Sequence, residues 1–224
     1  MAPPLDFLTP ASQQLIKPGM TPVQQAQILQ QHQMPGEAVK ALAHGLPEKD
    51  SVKWASLSAE KVSSPAHPAD QAAIKAAKAW SQNPTPAAQQ AAGQAALKAG
   101  HNTPGAWAAQ GAAFSGSGHT PHAVTGSVML AAAQGGKPIP PGGIVPPLPA
   151  PPAVPAAPQI SAPPPPAAPR FQLPFFKKPA APPPPEVPVK GPDGLTLTPS
   201  QRAEMTKNTD PFIKLGCDIG QGRA

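Results

Sequence analysis

The stretch Thr85-Pro86-Ala87-Ala88-Gln89-Gln90-Ala91-Ala92-Gly93-Gln94-Ala95-Ala96-Leu97-Lys98-Ala99-Gly100 is followed three residues later by Thr103-Pro104-Gly105-Ala106-Trp107. Threonine accepts a bond from the second or third unpaired N–H of a new helix. Proline at the first helical position gives up nothing, because its N–H would have had no partner there. Glycine suits the left-handed position just past a helix end. The stretch therefore predicts a helix over 86–99, a stop at Gly100 and a fresh start at Thr103.

Working outward, the same pair stands at Thr9-Pro10, Thr21-Pro22, Thr120-Pro121 and Thr198-Pro199. Asp210-Pro211 follows the same grammar, and Leu46-Pro47-Glu48 puts an acid in a first turn, where the helix dipole favours it. Gly116, Gly135 and Gly136 supply further stops. The series predicts helices near 10–17, 22–33, 36–45, 48–62, 68–81, 86–99, 104–115 and 121–134. A ninth region near 199–215 is split at Pro211. Connections this short imply antiparallel neighbours.

Periodicity supports the series. Val39, Leu42, Ala43 and Leu46 make one stripe, Ala69, Ala73, Ala76 and Trp80 a second, and Val124, Val128 and Ala131 a third. Gln90, Gln94 and Lys98 mark a wet face, leaving Ala91, Ala92, Ala95 and Ala99 to pack. Trp107, Gly111 and Phe114 form another stripe. Alanine-lined faces let helices approach closely, and aromatic side chains fill what alanines leave. Trp54, Trp80, Trp107 and Phe114 are the expected core anchors. Strand signals are nearly absent, and Pro188 interrupts Val187 and Val189, which excludes a central strand.

Composition sets the limits. Forty-two alanines leave few large apolar residues, and 38 prolines with 12% charge exclude one ordinary 224-residue globule. Twenty-three of the prolines fall between Pro138 and Pro192. The charge excess of +4 also falls in 137–192, against +2 for 1–136 and zero for 193–224. Consecutive prolines remove donors and fix φ, so 137–196 is expected to be a disordered, polyproline-like arm. The expected organisation is a helical bundle at 1–136, the arm at 137–196, and a C-terminal helical segment at 197–224 that packs back. The fold class is all-α.

Chemistry-bearing patterns are weak. His119 and His122 have Pro121 between them, so they are not expected to face one way; His32, His44, His67 and His101 stand alone. Zinc needs four suitably spaced ligands, so no metal is expected. Ser115-Gly116-Ser117-Gly118 lacks the spacing of a nucleophile elbow. Gly216-Cys217-Asp218-Ile219-Gly220 lacks the lysine of a phosphate loop and reads as a fraying end. Neither catalytic residues nor a cofactor or small-molecule substrate is expected. Cys217 stands alone, which excludes an intrachain disulfide and fits a reducing compartment. No signal segment or apolar span is legible, so the expectation is a cytoplasmic protein, with a signal-less export route open.

The sharpest local feature is Arg170-Phe171-Gln172-Leu173-Pro174-Phe175-Phe176-Lys177-Lys178. Aromatics on an extended chain are what a docking peptide presents to a groove. Arg170, Phe171, Phe175, Phe176, Lys177 and Lys178 are therefore the candidate partner-binding residues, and the partner is expected to be a protein. A nucleic-acid reading would use charge centred on Lys178 and the glutamine face of 24–33. It is disfavoured because no helix carries a run of Arg or Lys. The alternative to docking is that these Phe fold back onto the bundle, and a third reading makes the arm only a spacer.

Three segments carry a resemblance: Ala41-Leu42-Ala43-His44-Gly45-Leu46-Pro47-Glu48-Lys49-Asp50-Ser51-Val52-Lys53-Trp54-Ala55; Ala76 to Trp80 with Asn102-Thr103-Pro104 and Trp107 to Ser115; and Asp210-Pro211-Phe212 to Gly222. Together they resemble an uncharacterised bacterial Ala-rich helical family, a domain-of-unknown-function group. The resemblance covers 35–135 and 200–224. Lys53 departs from it, standing where the family has a second Trp. Its motifs are structural, so no active residues carry over. Some of its members are encoded near type VI or other specialised secretion clusters, which implies a non-catalytic accessory or adaptor of a secretion system.

Overall fold

The computed structural model describes residues 5–134, 188–191 and 196–223. Among them nine helices form the fold: α1 (Pro10–Leu15), α2 (Pro22–Gln31), α3 (Pro35–Gly45), α4 (Glu48–Val62), α5 (Pro68–Gln82), α6 (Pro86–Ala99), α7 (Pro104–Ala113), α8 (Thr120–Ala133) and α9 (Pro199–Gly220). A single antiparallel ladder joins β1 (Val189–Lys190) to β2 (Thr196–Leu197), pairing Val189 with Leu197 and Lys190 with Thr196. The first strand starts after Pro188, which has no N–H to give to a ladder.

The Thr-Pro punctuation works as its chemistry requires. The hydroxyls of Thr9, Thr21, Thr85, Thr103 and Thr198 accept the N–H of Ser12, Gln24, Ala88, Ala106 and Gln201. Thr21 and Thr198 complete full capping boxes with Gln24 and Gln201. Thr120 is the exception. It lies inside α8, is buried, and donates its hydroxyl to the carbonyl of Gly111 (3.2 Å), so His119 takes the cap position without a side-chain bond.

Consecutive helices from α4 to α8 pack side by side, and α4 also lies against α7 and α8. The core holds Val39, Leu42, Val52, Val62, Val124 and Val128 among many alanines, with Trp54 fully buried and Trp80 3% exposed. Close approach depends on missing side chains. A Cβ on Gly105 would sit 2.3 Å from Asp70 Oδ1 and 2.7 Å from Ile74 Cγ1, so α7 could not rest on α5. Ser127 ties α8 into the same region by donating to the Pro104 carbonyl (2.8 Å).

Three stripes need correction. Ala69 and Ala91 are exposed; the buried face of α5 is Asp70, Ala73, Ile74, Ala77 and Trp80, and that of α6 is Ala92 and Ala96. Trp107 and Phe114 are only half-buried. The Trp107 ring lies over Gly126 of α8, where a Cβ would come within 3.2 Å of it, and its indole N–H donates to the His101 carbonyl in an exposed loop (2.8 Å). Phe114 closes α7 at the loop, beside the His119 ring.

The largest difference is at the C-terminus. Pro211 does not split the helix, Asp210 does not cap a new one, and the segment 216–220 does not fray: α9 runs unbroken to Gly220. Pro211 and Asp210 are exposed, so the Lys207 carbonyl left without an N–H partner is on the wet side. An interior proline costs a helix about 3 kcal/mol or more. Burial of Phe212, Ile213, Cys217 and Ile219 against the bundle offsets that cost. The Asp210 carboxylate, instead of capping, accepts from Gln30 Nε2 on α2 (3.0 Å).

Candidate binding cleft

A short segment before α1 builds the most developed site. Glu37, in the first turn of α3, is buried. It accepts the Thr9 backbone N–H on one oxygen (2.8 Å) and Lys40 Nζ on the other (2.7 Å). That carboxylate fixes the start of α1 on α3. Gln13 then donates its side-chain amide to the carbonyls of Leu5 (3.0 Å) and Leu8 (2.9 Å), holding the preceding turn closed.

This geometry lays Phe7 flat on His44, with ring centroids 3.9 Å apart and planes 2° from parallel. His44 lies in the last turn of α3, and the edge of its ring system meets His122 of α8 at 5.2 Å and 83°. His119 stands 6.4 Å from His122, and Phe114 lies 5.8 Å from His119. Five rings from three parts of the chain thus run in sequence along one edge of the bundle.

Beside them opens a cleft of about 1000 Å3. Phe7, Ile16, Met20, Pro22 and Ala41 supply apolar wall, with Asp6, Lys17, Gln25, His44 and His122 as polar points. The loop that forms its outer side is shaped by Gly19, whose φ of +86° an L side chain rarely adopts. Gln25 holds the same loop by donating to the Met20 carbonyl (3.1 Å). Mostly apolar walls with a few placed polar groups are the usual make-up of a ligand site.

Burial pushes the His44 imidazole down to about 4, helped by the positive charges that His122 and Lys40 would place near it. His44 is thus neutral at pH 7, fit to stack and to hydrogen-bond but not to carry charge. Cys217 shifts the other way: burial, then the Asp218 carboxylate, raises its thiol, which keeps it protonated. Among the described residues, no group of three or more His, Cys, Asp or Glu is placed to hold a metal ion.

The sequence expectations meet this site unevenly. Arg170, Phe171, Phe175, Phe176, Lys177 and Lys178 lie outside the described residues, as do Gly135 and Gly136. Trp54 and Trp80 are buried away from the cleft, and Trp107 and Phe114 are half-buried. His44 does not stand alone, and His119 and His122 do approach each other. Phe7 and His122 reach His44 through tertiary packing, so no local spacing could have announced them.

A family model described as a family of unknown function (DUF6931) matches residues 26–141, more than half of the chain. The match takes in the stretches around Trp54, Trp80 and Trp107 and ends before 200–224, the other region of resemblance. No curated protein and no solved structure matches the chain.

Proposed function

The chain belongs to DUF6931, a family of unknown function, and from that premise we propose that it is a non-catalytic interaction protein serving as an accessory or adaptor of a bacterial secretion system. The observation that carries this reading is the cleft. Its apolar wall and neutral, stacked His44 suit an apolar segment of a protein partner with one or two hydrogen-bonding groups. The Phe-containing stretch 170–178 would add a second point of attachment.

At neutral pH the uncharged His44 offers packing and a hydrogen bond rather than charge. No helix of the described residues is long and apolar enough to cross a membrane. That fits an accessory that works beside an apparatus rather than within a bilayer.

Photo-crosslinking in the native cell tests the proposal. A photoreactive amino acid in place of Met20 should give one discrete adduct with a component of a secretion apparatus. Ala substitution of both Phe7 and His44 should lose it, and Ser at Phe171, Phe175 and Phe176 should weaken it. Adducts with many unrelated proteins, or none, would contradict the reading. A steep log–log salt dependence of duplex DNA binding would favour the nucleic-acid alternative instead.

A further inference from the structure

The family-matched region 26–141 ends with α8, yet the groove formed by α2, α3, α4 and α8 is filled by α9 from beyond it. The second half of α9 does most of the filling. Thr209, Phe212, Ile213, Gly216, Cys217 and Ile219 are buried, whereas most residues of 199–208 are exposed.

The seat is specific. Trp54 Nε1 donates to the Phe212 carbonyl (2.8 Å), so a fully buried indole spends its one donor on this helix. A Cβ on Gly216 would lie 2.7 Å from Trp54 Cε2 and 3.0 Å from Leu42 Cδ1. One on Gly220 would lie 2.8 Å from Leu46 Cδ2 and 3.0 Å from Val23 Cγ2. Two glycines four residues apart thus let the helix descend onto Trp54, Leu42, Leu46 and Val23, with Phe212 and Ile213 as apolar anchors. This is recognition of a helix by a groove.

What joins the two is long. Residues 134–198 separate α8 from α9, and the advantage of a tethered ligand over an untethered one falls as the connection lengthens. Every contact α9 makes with its own groove is equally available to an identical groove on another molecule, and exchanging an identical element is a low-cost route to a dimer. We propose that this groove is a helix-receptor surface and that the α9 of a second copy of the chain takes the place of the resident one. The inference goes beyond the cleft and holds whether or not the cleft binds a partner.

The test uses full chains in which Cys217 is replaced by Ala, leaving no native thiol. One carries Gln30→Cys and the other Asp210→Cys, positions that meet across the α2–α9 contact. A third chain carrying both substitutions is the control. All are treated with a short bifunctional maleimide over concentrations from about 10 µM to about 1 mM, spanning the range where tethered and untethered ligands compete. The proposal expects a covalent dimer from the mixed chains that grows with concentration and is suppressed several-fold by excess Cys217→Ala chain. If the control links within one chain while the mixture yields no more dimer than either variant alone, the proposal is wrong. If the control does not link either, α9 does not occupy the groove and the proposal falls with it.

Discussion

Helices α6 and α9 both lie at the edge of the bundle, and they are held in opposite ways. α6 buries only Ala92 and Ala96, leaves Leu97 71% exposed, and is tied at both ends by short connections. Among the described residues Gln89 clamps it, its amide donating to the carbonyls of Ala113 and Ser115 (2.9 and 3.0 Å). α9 buries Phe212, Ile213, Cys217 and Ile219 and takes a hydrogen bond from the most deeply buried tryptophan. The difference follows from chain entropy. A helix delivered by a few residues of loop is already close to its seat and needs little adhesion. One delivered across residues 134–198 must bring its own.

Trp54→Ala should give the largest effect, because it removes a buried aromatic and the anchor of α9 together. A loss of about 3–5 kcal/mol is expected in denaturant unfolding. Gly216→Ala comes next, at about 1–3 kcal/mol, since its Cβ must push on the Trp54 ring and Leu42 rather than on a flexible end. The matching change beside α6, Gly100→Ala, meets no neighbour and costs only backbone strain at φ +76° and ψ 168°, a region essentially reserved for glycine, about 1–3 kcal/mol. Equal losses at Gly216 and Gly100 accompanied by an unchanged Trp54 emission would erase the contrast. Thr85→Ala should cost about 1 kcal/mol by removing a cap. Thr198→Ala should cost less in global stability, because the turn it caps lies on the exposed half of α9.

A further effect is one of pH. His44 is held near 4 in the fold against 6.5 when exposed, so between those values the unfolded chain binds the extra proton. Stability should therefore be at its full value above about 6.5, decline as pH falls toward 4, and level off for this group below that. Denaturant midpoints measured across this window check the direction. His44→Gln should flatten the slope; an unaltered slope would show that His44 is not buried against Phe7 and His122.

The helical grammar was legible because it is local. A threonine hydroxyl, a proline without N–H and a glycine past the end act within four residues, and five of the six Thr-Pro pairs cap helices as they should. Where a tertiary partner competes for the same atom, the grammar misleads. Thr120 gives its hydroxyl to Gly111 of the neighbouring helix, and Asp210 gives its carboxylate to Gln30. Pro211 reads as a break because local propensity takes no account of the apolar surface beneath Phe212 and Ile213. Trp107 looked like a core anchor because its size was visible and its polar end, bonded to His101, was not. The cleft was the least legible part, since Phe7, His44 and His122 meet only after α1, α3 and α8 have assembled.

The second half of α9 covers Trp54, and that seat holds the C-terminal helix to the bundle. Exchange of the three tryptophan indole N–H protons with deuterium, followed by NMR on the intact chain, tests this directly. Trp54 donates to Phe212 in the core, whereas Trp107 donates to an exposed loop carbonyl. The Trp54 indole proton is predicted to exchange at least a hundredfold more slowly than that of Trp107, as roughly 2.7 kcal/mol or more of opening free energy requires. Exchange of Trp54 at the rate of Trp107 would mean that α9 is not seated there.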